Sequence, residues 1–249
     1  MAAKKETRGM VVCLCFLLSL LLLGLTSAGL RGNGWGDTAS TLTGITPPKT
    51  LPSLPTVVID AGHGGEDGGA SSAQGLTEKD VNLSVALALR DLLEANGIPT
   101  VMTRTQDILL YNRAINYTGH KKSLDLAARR AIADNTKNCI LVSIHMNAFP
   151  APQYSGLQVW YSPALPQSQS LAAAVQNEAL TLAPHNNRQI KAAGSNIYLL
   201  HHATYPAILV ECGFLSNPRE AEQLSDHAYR QALAFVIFSG LMTYMAAQE

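Results

Sequence analysis

Two histidines and two glutamates stand beside apolar stretches of the chain, in positions that suit metal chemistry. His63 follows one apolar run and lies among glycines, while His145 and Glu211 each end a later apolar run. Glu78 begins the segment after the glycine loop. Two histidines and one glutamate are a common ligand set for catalytic zinc, which keeps a fourth position open for water. The pattern therefore predicts a zinc hydrolase in which His63, Glu78 and His145 bind Zn²⁺.

The fourth residue, Glu211, is predicted to be the catalytic base. Zinc lowers the pKa of a bound water to about 7, and a nearby carboxylate can then take its proton during attack on a carbonyl. A carboxylate that follows four apolar residues is costly to bury without a partner, and such a site supplies one. The glycines around His63 permit close approach of the backbone. Asp60 is predicted to orient the imidazole of His63 from the second layer.

Each of these residues also has a purely structural explanation. A histidine after a strand is often a capping residue or a satisfied core residue. Glu78 at the start of a helix is favoured by the helix macrodipole alone. Glu211 can instead form a buried ion pair with Arg104 or Arg129. The coincidence of all four residues at predicted strand edges favours the metal site.

The elements that must position these residues alternate between strands and helices. Apolar runs predict strands at residues 56–60, 99–103, 139–145, 156–161, 196–200 and 207–212. Apolar residues at helical spacing predict helices at 77–96, 123–135, 168–182, 218–224 and 227–247. The strands are apolar enough to be covered on both faces, which predicts an α/β fold with a mostly parallel sheet in a single catalytic domain. The carboxyl ends of such strands meet at one edge, where the four residues would gather.

The N-terminal part of the chain predicts export. Basic residues precede an apolar run within residues 9–28, so the start stays in the cytoplasm and the remainder crosses the membrane. Residues 1–28 fit either a signal peptide or an N-terminal membrane anchor. Residues 29–55 are rich in Gly, Ser, Thr and Pro, which predicts a flexible linker. Residues 56–249 are then the catalytic domain, located in the cell envelope.

Composition excludes one class of partner and predicts the state of two thiols. Lys+Arg and Asp+Glu are equal at 18 each, giving a formal net charge of +0. The chain therefore lacks the basic footprint of a nucleic-acid binder. Cys139 and Cys212 fall on different predicted strands, at different distances from the site, which does not fit the short Cα separation of a disulfide. Both are predicted to be free thiols.

Four segments resemble the signatures of one enzyme family. They are IDAGHGG at 59–65, LTEKD at 76–80, SIHMNA at 143–148 and VECGFLSN at 210–217. Through these segments the chain is similar to the zinc-dependent N-acetylmuramoyl-L-alanine amidases of bacterial cell walls. The resemblance implies that His63, Glu78 and His145 bind Zn²⁺, that Glu211 is the catalytic carboxylate and that the fold is the family's α/β sandwich. It also implies that peptidoglycan is the substrate.

Within the family, the chain looks most like the germination-specific amidases of spore-forming bacteria. That resemblance implies action on spore-cortex peptidoglycan, with a cooperating deacetylase completing muramic δ-lactam. No segment reads as an autoinhibitory helix, so regulation is predicted to come from an activating protein partner or from localisation. Asn147, Arg104 and Ser195 are predicted to hold the glycan or the peptide.

Two other functions remain open. A zinc carboxypeptidase or deacetylase acting on the wall would use the same metal chemistry, but it would release a terminal amino acid or acetate. A non-catalytic wall-binding domain would keep the fold without turnover, and its binding to sacculi would be unaffected by Glu211→Ala.

Overall fold

The fold is built on one six-stranded sheet. The computed structural model describes residues 54–112, 114 and 117–248. Within them the strands are β1 Thr56–Ala61, β2 Thr100–Met102, β3 Cys139–Asn147, β4 Gln158–Tyr161, β5 Lys191–Ala192 and β6 Ala207–Phe214. Their order is β2-β1-β3-β6-β4-β5, and every neighbouring pair is parallel except β4 with β6. The prediction of a mostly parallel sheet is confirmed.

Helices lie between the strands and at the end of the chain. Within the described residues they are α1 Glu78–Ala95, α2 Lys121–Asp134, α3 Pro166–Leu182, α4 Tyr198–His201, α5 Pro218–Ser225 and α6 His227–Ala246. All except α4 match the predicted helices to within about two residues, the usual uncertainty of helix ends. Thr77 precedes α1 as predicted, although its hydroxyl donates to Asp80 at 2.5 Å instead of capping the helix backbone.

The strand predicted at residues 196–200 is wrong. The structure has helix α4 in this region, and the edge strand β5 lies earlier, at Lys191–Ala192. Ile197 and Tyr198 favour a strand by residue type. Leu199 and Leu200, however, are both buried in the apolar cluster beneath the sheet, and one helical turn directs both there. Packing of this leucine pair outweighs the local preference.

Apolar side chains cover both faces of the sheet. Successive residues of a strand point to opposite faces. Val57 and Ile59 of β1 therefore pack into the larger core, which α1, α3 and α6 complete. Val58 packs into a smaller core with residues of α2 and α4. The predicted arrangement, with helices on both faces, is confirmed.

The face that packs on α2 and α4 turns polar towards the carboxyl ends of the strands. Along β3, Leu141 is followed on this face by Ser143, His145 and Asn147. The register of β3 with β6 sets His145 directly opposite Glu211. The same edge of the sheet thus gathers polar groups from separate parts of the chain.

Two further predictions concern the ends of the chain and the cysteines. Residues 1–28 of the predicted leader, and residues 29–53 of the predicted linker, lie outside the described residues. Among those that are described, no helix has the length and apolar character needed to cross a membrane. Cys139 and Cys212 are both buried and free, which confirms the prediction of two thiols.

Candidate metal centre and catalytic site

The three predicted ligands meet at the carboxyl edge of the sheet. Oε1 of Glu78 lies 3.2 Å from Nε2 of His63 and 2.9 Å from Nδ1 of His145. One ligand atom from each residue lies within 4.8 Å of the other two. The imidazole rings meet edge to face with their centroids 5.0 Å apart. These side chains form a cluster with the dimensions of a metal site.

Glycines make room for this cluster. A Cβ atom on Gly62 would lie 2.3 Å from the ring of His145, and a Cβ atom on Gly69 would lie 2.5 Å from Oε2 of Glu78. Any larger residue at either position would displace a side chain of the cluster. His63 itself adopts a φ of 61°, a conformation that a residue other than glycine keeps only when its surroundings hold it.

Arg129 of α2 holds the backbone that presents His63. Its guanidinium donates to the carbonyl oxygens of Ala61 and His63, both at 2.7 Å. The same group pairs with Asp60 and Asp125, each at 2.7 Å, and its side chain is 1% exposed. Burial alone would lower the pKa of Arg129, but Asp60 and Asp125 raise it above its usual value, so the charge is kept. The strained turn at His63 is thus fixed by a buried ion-pair network.

Arg104 supports the same turn from another side. It was a candidate for substrate binding, yet it is 2% exposed. Its N–H groups donate to the carbonyl oxygens of Ala61, Gly62, Gln106 and Lys79 at 2.8 to 3.0 Å. With its donors taken up by backbone acceptors, Arg104 is placed as a support of the metal-site loop.

The partner of the His63 imidazole is Asp67, which the sequence did not identify. Oδ2 of Asp67 lies 2.9 Å from Nδ1 of His63. Burial would raise the pKa of Asp67, but the hydrogen bond and charge of His63 lower it overall, so this carboxylate is ionised. Asp60, predicted for this role, instead accepts from Arg129, Thr103 and Ser143 and acts on His63 only through Arg129. The sequence feature that could have indicated this contact is the four-residue spacing between His63 and Asp67 in a glycine-rich loop.

Glu78 is an ionised ligand candidate held from several directions. Burial would raise its pKa, but hydrogen bonds and charge from His145 and His63 hold the pKa well below its usual value. The backbone N–H groups of Ala70 and Met146 also donate to its carboxylate, at 2.9 and 3.1 Å. A carboxylate fixed in this way keeps one oxygen, Oε1, between the two imidazoles.

Glu211 lies beside the cluster without an ion pair among the described residues. Its Oε2 atom is buried and has no hydrogen-bond partner within the part of the chain that is described. Burial raises the pKa of Glu211 to about 7, with the nearby Glu78 adding to the shift and His145 opposing it. Arg104 and Arg129, its possible partners by sequence, donate to other groups. A lone buried carboxylate of this kind is typical of a functional site.

A cavity of about 390 Å³ opens beside these residues. His63, His145 and Glu211 line it together with Asn147, one of the three predicted substrate residues. Ser195 is exposed and does not line this cavity, although its neighbour Asn196 does. Part of the wall is apolar or aromatic, contributed by Leu126, Trp160, Ile197, Tyr198, Leu199 and Leu209. A ligand of mixed apolar and polar character would fit such a cavity.

The donor set fits zinc chemically. Two imidazole nitrogens and one carboxylate oxygen are ligands that zinc accepts, and three protein ligands leave a position for water. Asp67 at the second nitrogen of His63 is the kind of outer partner that orients a metal-bound histidine. The residues present therefore suit a catalytic zinc ion, and Glu211 lines the same cavity as His63 and His145.

The sequence matches the model of a known protein family. That family is described as N-acetylmuramoyl-L-alanine amidase, and the match covers residues 57–243. A germination-specific N-acetylmuramoyl-L-alanine amidase of Bacillus subtilis (strain 168) is 35% identical over 198 residues, which cover 79% of this chain and 83% of the relative. A probable cell wall amidase, LytH, of Staphylococcus epidermidis is 31% identical over 222 residues, which cover 86% of this chain and 68% of the relative.

A solved structure shares the fold as well as the sequence pattern. It is that of the CwlD amidase from Clostridioides difficile in complex with the GerS lipoprotein. Its sequence identity to this chain is 37% and the TM-score is 0.74. The superposition covers 78% of this chain and 99% of the solved chain. The sheet and helices described above are therefore shared across nearly the whole of that structure.

Proposed function

The chain belongs to the N-acetylmuramoyl-L-alanine amidase family, and from that premise we propose that it hydrolyses the amide between N-acetylmuramic acid and L-alanine in peptidoglycan stem peptides. The observation that carries this proposal is the Oε2 atom of Glu211, which is buried without a hydrogen-bond partner in the described part of the chain, beside the cluster of His63, Glu78 and His145. A wall-binding domain without turnover would have no need for such a costly group.

In this proposal His63, Glu78 and His145 hold Zn²⁺. The supporting observations are the three-donor cluster and the two glycines that leave space for it. Bound zinc supplies a Lewis acid that polarises a carbonyl and lowers the pKa of water to about 7. The carboxylate of Asp67 lies 2.9 Å from Nδ1 of His63, and Nε2 of the same ring lies 3.2 Å from Glu78 within the cluster.

Glu211 acts as the general base and then as the general acid. It accepts a proton from water as the water oxygen adds to the scissile carbonyl carbon. The protonated carboxyl then donates to the nitrogen of L-alanine as the C–N bond breaks, so the products are a lactyl carboxylate and a free peptide amine. Both roles are supported by the position of Glu211, which lines the cavity together with His63 and His145 and has a buried Oε2 atom without a hydrogen-bond partner in the described chain.

The substrate is proposed to be spore-cortex peptidoglycan. This is supported by the 35% identity to the Bacillus subtilis relative, whose name describes it as germination-specific. The CwlD amidase, a structural relative, was solved with the GerS lipoprotein, so we extend the proposal to a protein partner for this chain. A deacetylase that completes muramic δ-lactam would then act on the product.

The enzyme is proposed to act outside the cytoplasm, because its substrate lies there. Residues 9–28 would either direct export and be removed or keep the enzyme at the membrane surface. The linker of residues 29–55 would then give the catalytic domain reach into the wall.

The test is product analysis of purified spore-cortex peptidoglycan digested by the full chain, with zinc content measured on the same sample. Mass spectrometry is expected to find free stem peptides that begin with L-alanine. Released acetate would instead identify a deacetylase, and a released terminal amino acid would identify a carboxypeptidase.

A matched pair of variants tests the role of Glu211 in the same assay. Glu211→Ala should keep its zinc and lose at least ~10²-fold in rate, because it lacks the proton acceptor. Glu222→Gln, a change of an exposed glutamate on α5, should keep the wild-type rate. Equal rates for Glu211→Ala and the wild type would exclude Glu211 as the base.

A further inference from the structure

Two large aromatic side chains are exposed on the loop that follows β3. Phe149 is 51% exposed and Tyr154 is 43% exposed. Their rings meet edge to face with centroids 4.9 Å apart. Both belong to the loop after β3, and Phe149 comes two residues after Asn147, which lines the cavity. The aromatic pair therefore belongs to the loop that leads from the cavity wall at Asn147 to β4.

The aromatic pair is fixed by contacts to its neighbours. The N–H of Phe149 donates to Oγ of Ser216 at 3.0 Å, and the side chain of Asn217 donates to the carbonyl of Tyr154 at 3.2 Å. The guanidinium carbon of Arg188 lies 5.5 Å from the centroid of the Tyr154 ring. We name Phe149, Tyr154 and Arg188 the aromatic ridge. The side chains of Phe149 and Tyr154 remain about half exposed despite these contacts.

A polar groove with a volume of about 530 Å³ runs beside the aromatic ridge. Its lining includes the amides of Gln153, Asn187 and Gln189 and the cations of Arg188 and Lys191. No carboxylate lines this groove, all of whose lining residues are described. Side-chain amides both donate and accept hydrogen bonds, which suits a ligand with hydroxyl and acetamido groups.

Residues of β4 and β5 relate the polar groove to the catalytic cavity. Gln158 lines the groove and is the cross-strand partner of Glu211. Trp160 lines the cavity and Lys191 lines the groove. The ammonium of Lys191 lies 5.3 Å from the centroid of the Trp160 ring. A polymer whose reacting bond lies at Glu211 can therefore extend over the groove and along the aromatic ridge.

We propose that the aromatic ridge and the polar groove bind the glycan strand of peptidoglycan on one side of the scissile amide. This inference rests on the proposed function and extends it to a subsite for neighbouring sugars. A pyranose ring has a face of C–H groups that packs on an aromatic face, while its hydroxyl and acetamido groups need polar partners. The aromatic ridge supplies the first kind of contact and the polar groove supplies the second.

A protein partner fits this surface less well. Specific protein interfaces have a broader, well-packed apolar core than one aromatic pair provides. The polar groove is also lined mainly by amides and cations, with few apolar side chains. The experiment must therefore distinguish glycan binding from protein docking at this surface.

The experiment measures binding of a hexamer of N-acetylglucosamine to the full chain by isothermal titration calorimetry. This probe carries the sugar rings but no lactyl group or peptide, so its affinity does not depend on hydrolysis. The double variant Phe149→Ala/Tyr154→Ala should bind the hexamer at least ~10-fold more weakly than the wild type. Phe149→Tyr, which keeps the ring, should bind within about twofold of the wild type.

Phe235→Ala is the matched control, because Phe235 is 57% exposed on helix α6, away from the groove. It should leave hexamer binding unchanged. The double variant must match the wild type in thermal melting and zinc content. If it does not, the single variants Phe149→Leu and Tyr154→Leu are measured instead. Each should show part of the loss of hexamer affinity.

Two results would overturn the proposal. One is equal hexamer affinity in the wild type and the double variant, and the other is no measurable hexamer binding by the wild type. Retained hexamer affinity together with lost binding of a lipoprotein partner would assign the ridge to protein docking instead. Failure of the amidase proposal is recognised separately, because the wild type would then release no stem peptides from cortex peptidoglycan.

Discussion

Among the single residues, Glu211 combines a cost to stability with the catalytic role proposed for it. Its buried carboxylate has no hydrogen-bond partner at Oε2 within the described chain, and burial raises its pKa to about 7. The folded protein therefore favours the protonated carboxyl, while the unfolded chain loses that proton near the usual value of 4.5. Stability is then greatest below the unfolded pKa and falls as pH rises through the folded pKa.

The stability of the metal-free protein should therefore depend on pH. From about pH 5 to about pH 8, the free energy of unfolding of the wild type should fall by about 1–3 kcal/mol more than that of Glu211→Gln. Urea unfolding of chelator-treated protein at several pH values measures the difference. Glu222→Gln serves as the control and should follow the wild type. Parallel pH profiles for the wild type and Glu211→Gln would contradict the raised pKa.

Arg129 provides a second prediction at this scale. Removing its charge with Arg129→Met would leave Asp60 and Asp125 buried without their cation, which should cost about 3–5 kcal/mol of folding free energy. The neighbouring Arg130 has a side chain that is 34% exposed and pairs with Asp134 near the surface, so Arg130→Met should change the free energy of unfolding by much less. Denaturant unfolding of both variants decides the matter. A similar stability for the two would show that the buried network is not what holds the turn at His63.

The gathering of the candidate site residues could be predicted from the sequence, but the residues that support them could not. His63, Glu78, His145 and Glu211 stand out because polar residues end apolar runs or begin a helix. Asp67 did not stand out, because its contact with His63 depends on tight turns whose geometry is not set by residue type. Asp60 was assigned to the wrong neighbour for the same reason. Arg104 was assigned to the substrate because burial of a charged residue depends on tertiary partners.

At the scale of elements, the glycine loop determines how closely the ligands approach. A Cβ atom on Gly62 would overlap the ring of His145, whereas a Cβ atom on Gly68 would meet nothing within 4 Å. The two glycines lie in the same loop region, so they form a matched pair for substitution.

Gly62→Ala should weaken zinc binding at least ~10-fold, because the ring of His145 must move away from Glu78. Gly68→Ala should bind zinc like the wild type. Competition against a fluorescent zinc chelator gives both affinities, and circular dichroism checks that both variants are folded. Zinc affinity that is unchanged in Gly62→Ala would show that the close approach at Gly62 does not matter to the metal site.

The order of elements followed from apolar periodicity, and the one error arose where packing overrides it. Strands such as β3 are long apolar runs that only a covered sheet can bury. The region of α4 is short, and its residues suit a strand by type. Burial of Leu199 and Leu200 in the smaller core, which decided the outcome, depends on residues far away in the sequence.

At the scale of the whole molecule, the parallel sheet explains why residues far apart in sequence share one site. β1, β3 and β6 are adjacent and parallel, so their carboxyl ends deliver His63, His145 and Glu211 to one edge. α1 starts at the same edge and brings Glu78. This topology made the site predictable before any distance was known. The family resemblance seen in the four sequence segments is confirmed by the family match over residues 57–243.

Calorimetric titration of zinc into metal-depleted full-length protein measures whether His63, Glu78 and His145 bind one zinc ion. We expect one ion per wild-type chain and loss of that binding in His63→Ala. His185→Ala, which changes an exposed histidine outside the site, should bind zinc like the wild type. One tightly bound ion in His63→Ala, with the affinity of the wild type, would show that His63 is not a zinc ligand.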